Sequence, residues 1–155
     1  MAAVKLRRDL AALVASLFPL KVRVAFFSKE VPDWLMNALL QTSANPIHEL
    51  ELLPMSLAST IWNAHICYSQ VVLYVDNESS KMAIIRGSGE TPYASRFMEA
   101  FVQTESNSQI KSWFSRVPSH SNPSDGVSRL ACDLPLSLGA EQTTIVWERF
   151  KFKAS

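Results

Sequence analysis

Three carboxylates stand where a chain of alternating strands and helices can gather them. Glu51 lies in "IHELELLPMSL", an otherwise apolar helical stretch. Asp76 ends the apolar run "VVLYVDN", and Asp125 follows "SHSNPS" at the start of a late helix. Clustered carboxylate oxygens suit Mg²⁺, a hard cation that keeps several waters and binds through few side chains. Two such ions about 3.5–4 Å apart can activate water and stabilise a leaving oxygen in phosphodiester cleavage. Each acid also has an ordinary use. Glu51 can sit on a solvated helix flank, as its neighbour Glu49 is expected to do. Asp76 can cap the next helix, and Asp125 can favour a helix dipole. Three acids at three element ends, in this order, weigh against coincidence.

The elements that must position these acids follow from the apolar pattern. Leu6, Leu10, Leu13 and Leu17 fall on one helical face and Pro19 ends the run, so an amphipathic packing helix is expected over residues 1–19. Asp9 interrupts the apolar run and no clear cleavage site follows it, which argues against a targeting segment. "LKVRVAFFSKEVP" (Leu20–Pro32) reads as a strand, and "DWLMNALLQ" as a short helix capped by Asp33. A longer helix is expected from Ile47 to about His65, with Pro54 kinking it or forcing a new start. The continuous run Val71–Asn77 has the look of a strand buried on both faces.

"ESSKMAIIR" follows as a helix closed by Gly87 and Gly89, and Thr91–Pro92 opens another by cap and first-position chemistry. "QIKSWFSRVPS" (Gln109–Ser119) is expected as a strand, with one of Trp113 and Phe114 in the core. Asn122 and Pro123 then supply a cap and a first helical position. "TTIVWERFKF" fits a last strand or a docked tail. Strands alternating with helices define an α/β layered domain, in which sites form beyond strand ends.

Bulk properties narrow the function classes. A chain of 155 residues with 48% hydrophobic and 19% charged residues makes one domain with a sizeable core, not a disordered tract. The net charge of +1 supplies no global field, so any nucleic-acid surface must be a local patch. Cys67 and Cys132 stand apart without metal-site spacing and are expected as reduced, buried thiols of an intracellular, non-secreted protein. No stretch is long enough to span a membrane.

Taken together, "IHELELL", "VVLYVDNESSKMAIIRG" and "WFSRVPSHSNPSDGVSRL" resemble successive blocks of the ribonuclease H-like domain that follows reverse transcriptases in retroelements. The resemblance covers roughly Val22 to Leu130, with the last block its most specific part. It implies a single α/β domain over residues 1–155, with a mixed central sheet flanked by helices. The family-like core is 20–130, the leading helix lies outside that core, and residues 131–155 form an extension. It further implies Mg²⁺ or Mn²⁺ held by Glu51, Asp76 and Asp125, and cleavage of the RNA strand of an RNA–DNA hybrid. His120 matches a loop His that assists proton transfer or product release. Asn77 and Asn122 match positions that shape turns or contact substrate. An upstream reverse-transcriptase domain is the implied protein partner.

Two departures temper the activity. The family's first strand carries a further Asp that bridges both metals, and no such strand precedes "KVRVAFF". The chain therefore reads as lacking the first strand or two, with the leading helix covering the edge left behind. Pro54 stands where the family favours a helix former. Three readings follow: a hybrid-cleaving nuclease domain, inactive as it stands if the missing acid is not supplied; a degenerate, non-catalytic module that binds nucleic acid or protein; and, more weakly, a related DNA-processing nuclease or integrase. Lys81, Arg86, Arg96, Lys111, Arg116, Arg149, Lys151 and Lys153 are the cations available to grip a substrate.

Overall fold

The computed structural model describes residues 9–18, 21–75, 77–118, 121–122 and 124–150, with backbone alone for 9–18, 21–23, 125 and 149. The architecture is mixed α/β. Strands β1 (Asp9–Phe18) and β2 (Lys21–Glu30) pair antiparallel, Asp9 facing Glu30 and Phe18 facing Lys21. On its other side β2 takes the short β5 (Glu141–Gln142) in parallel. A second sheet consists of β3 (Gln70–Val75) and β4 (Lys111–Arg116), parallel and in register from Gln70–Lys111 to Val75–Arg116.

Residues 9–18 correct the expected leading helix. Their leucine spacing does fit a helical face, but intrinsic helix preference is worth only tenths of a kcal/mol per residue. A ten-residue ladder with β2 outweighs it. β1 thus covers one edge of β2 as a strand, and the other edge is covered by β5.

The helices are α1 (Asp33–Thr42), α2 (Ile47–Ile61), α3 (Asn63–Ile66), α4 (Glu78–Arg86), α5 (Pro92–Ser108), α6 (Ser124–Val127) and α7 (Asp133–Ser137). Pro32 occupies the N-cap position of α1, so Asp33 sits in the first turn instead of capping it. Pro54 lies inside an unbroken α2, and the break expected there falls at Trp62, before α3. α4 has the sequence-expected bounds: the Asn77 side chain accepts from Ser79 N at 2.8 Å, and Gly87 closes it in the left-handed region at φ 64°. Thr91 caps α5, accepting from Ala94 N at 3.2 Å, with Pro92 in the first turn. At Gly89 a Cβ would come within 2.3 Å of the Ala94 Cβ, so this close approach of chain to helix needs glycine.

One large core joins α1, α2, α4 and α5 to the inner residues of both sheets, with Phe27, Leu35, Leu39, Leu52, Leu53, Leu57, Phe97 and Met98 sealed from solvent. α2 lies along α5 and also touches β1, α3 and α4. A smaller cluster forms behind β2 around Phe26, Val127 and Ala140. The tail docks on the body: Thr143 N donates to Phe26 O at 2.7 Å, Trp62 Nε1 donates to Thr143 Oγ1 at 3.2 Å, and Ile145 is buried. Cys67 and Cys132 are free thiols, as expected, but only half-buried. Among the described residues no helix is long and apolar enough to cross a membrane.

Candidate functional site

Glu51 sits in the second turn of α2, half-buried, and its Oε2 accepts a 2.6 Å hydrogen bond from Ser80 Oγ. Ser80 is fully buried and is the third residue of α4, two beyond the residue that follows the Asn77 cap. The Glu51 carboxylate therefore rests against the first turn of α4, where exposed backbone N–H groups favour negative charge. α4 follows the C-terminal end of β3, the place where α/β sheets build their sites. Ser80 is a contact the sequence reading missed. A serine inside a helix carries no signal until its partner helix is placed.

Glu49 reverses the expectation of a solvated flank. It is 1% exposed, and its Oε1 accepts from Thr91 Oγ1 at 2.7 Å. The same hydroxyl accepts from Ala94 N, so one threonine caps α5 and ties it to α2. With a helical repeat of 3.6 residues, positions 49 and 51 lie about 200° apart around α2. One carboxylate points to the start of α5 and the other to the start of α4.

Asp76 and His120 lie outside the described residues, as does the side chain of Asp125. The backbone of Asp125 belongs to α6, which packs against β1 and is anchored by a 2.8 Å hydrogen bond from Ser28 Oγ to Val127 O. Asn122 caps that helix, its Oδ1 accepting from Ser124 N at 3.0 Å. Both asparagines proposed for substrate contact thus spend their carbonyl oxygens on helix starts, consistent with turn shaping. Among the described residues no group of three or more His, Cys, Asp or Glu side chains could hold a metal ion.

The cations are dispersed. Lys81 Nζ pairs with Glu78 Oε1 at 2.7 Å, and the Arg96 guanidinium lies 5.3 Å from the Tyr93 ring centre. Arg86, Lys111 and Arg116 are exposed. The Arg149 side chain, Lys151 and Lys153 lie outside the described residues.

One carboxyl shows a displaced acidity. Burial pushes Glu105, on α5, above its ordinary value, while a hydrogen bond with Ser112 on β4 pulls the other way. Its Oε1 is buried without a hydrogen-bond partner among the described residues. A burial penalty of that kind disfavours the charged form.

No family model matches the chain, and no curated protein or solved structure matches it.

Proposed function

We propose that this chain is a ribonuclease H-like domain of the retroelement reverse-transcriptase type, acting on the RNA strand of RNA–DNA hybrids. The contact between Glu51 and Ser80 carries the reading, because it seats the α2 carboxylate against the helix that follows "VVLYVD". α2 and α6 both pack on β1, from its two faces: α2 belongs to the core around Phe27 and α6 to the cluster around Phe26.

Glu51, Asp76 and Asp125 would hold Mg²⁺ or Mn²⁺, their oxygens being the hard donors such ions take. Bound there, the ion would activate water and stabilise the leaving oxygen. Ser80 donates to one Glu51 oxygen and so fixes the carboxylate's orientation, a supporting role of the sort ligand carboxylates usually have. His120 would assist proton transfer or product release, and Asn77 and Asn122 would set the turns on which substrate rests.

A second reading, a non-catalytic module that retains hybrid binding, is favoured by the separation of the two sheets. Neither β1 nor β3 has a second strand partner among the described residues. The test is cleavage of a labelled RNA–DNA hybrid in Mg²⁺ by the wild type, Asp76→Asn and Glu51→Gln. Metal-dependent cleavage that falls at least about a hundredfold in both variants is expected for the nuclease. Hybrid binding without cleavage selects the module, and preferential cleavage of duplex DNA selects a DNA-processing enzyme.

A further inference from the structure

The β3–β4 pair has two unlike faces. Strand geometry sends alternate side chains to opposite sides. Leu73 and Phe114 turn inward onto the main core, Phe114 lying 6.3 Å from the Phe101 ring. Gln70, Val72, Tyr74, Lys111, Trp113 and Ser115 turn the other way. Val72 is 54% exposed, Tyr74 67% and Trp113 70%. In the parallel register Val72 lies opposite Trp113, with Tyr74 two positions further along β3. The tyrosine and tryptophan are therefore diagonal neighbours about 8 Å apart.

The chemistry of this face selects its occupant. Its exposed side chains amount to roughly 400 Å² of largely aromatic surface, about half of what each partner contributes to a stable protein interface. Among the described residues of this face the one charged side chain is that of Lys111. Flat rings beside a cation and hydrogen-bonding side chains are what single-stranded nucleic acid uses: bases stack on the rings while phosphates meet the cation.

We propose that the outward face of β3–β4 is a stacking platform for single-stranded nucleic acid, with Tyr74 and Trp113 receiving bases and Lys111 a phosphate. The platform lies across the sheet from the core-facing side. It goes beyond hybrid cleavage by giving the protein a place to hold an unpaired strand.

The test is fluorescence anisotropy of a labelled twelve-nucleotide oligouridylate with the full chain in EDTA. Trp113→Ala is expected to weaken binding about tenfold or more, and Tyr74→Ala severalfold, while Trp113→Phe retains most of the affinity. Lys111→Ala should lower the slope of log affinity against log salt by about 0.7. Binding is read in EDTA, where metal-dependent cleavage is silent, which separates this proposal from the nuclease reading. Equal affinity in all variants overturns the platform. So does a concentration-dependent dimer that Trp113→Ala dissolves in the absence of oligonucleotide binding.

Discussion

The two sheets invert what their sequences suggest. "KVRVAFFSKE" mixes charged and apolar residues, yet β2 is covered on both faces at its centre. Phe27 packs into the main core with its ring 5.3 Å from Trp62, and the adjacent Phe26 enters the smaller cluster with Val127 and Ala140. "VVLYV" is apolar throughout and was expected to be buried on both faces. Nevertheless β3 leaves Val72 and Tyr74 in solvent. Residue type states what a strand tolerates; the elements that happen to lie beside it decide what is covered. Behind β2 the chain returns with α6, α7 and the tail, whereas no described element crosses the outer face of β3 and β4.

Substitutions at matched aromatic positions put the sharpest strain on that contrast. Phe27→Ala is expected to cost about 3–5 kcal/mol in urea unfolding, because the cavity opens inside the main core, where Phe27 is sealed from solvent. Trp113→Ala removes a larger ring but should change stability by less than about 0.5 kcal/mol, since the side chain is mostly hydrated already. A cost of several kcal/mol at Trp113 would mean that something covers the outer face in solution.

A smaller effect belongs to the junction of α2 and α5. Thr91→Ala takes away the α5 cap and the hydrogen bond to the buried Glu49, and should cost about 2 kcal/mol by the same measurement. Thr91→Ser keeps both bonds and should recover most of the loss.

The smallest effect is a pH dependence at the inner side of β4. Glu105 has its native acidity weakened by burial. Between its ordinary value and the raised one, the folded protein holds a proton that the unfolded chain has lost. Stability therefore falls as pH rises through that window and is level beyond it. Glu105→Gln removes the titration, so thermal unfolding of the variant should show a flatter profile across the same window. An unchanged profile would assign the dependence to other groups.

Where the sequence was legible, the interactions were local. Asn77, Gly87, Thr91 and Pro92 mark the ends of α4 and the start of α5 through hydrogen bonds and backbone angles that span a few residues. Asn122 does the same for α6. The roles of Glu49 and Glu51 were not separable from sequence. Both lie on one helix, and which of them is buried depends on where α4 and α5 pack. Of the expected site, Glu51 beside the first turn of α4 is the part the described residues display.

The sequence alone determined the alternation of strands and helices from Lys21 to Val127, since apolar period and capping chemistry are written in neighbouring residues. Only the tertiary structure decided that residues 9–18 pair as a strand, that Glu49 is sealed inside, and that one face of β3–β4 stays open. Those outcomes depend on partners far along the chain, whose free energy of contact exceeds the small local preferences that a sequence displays.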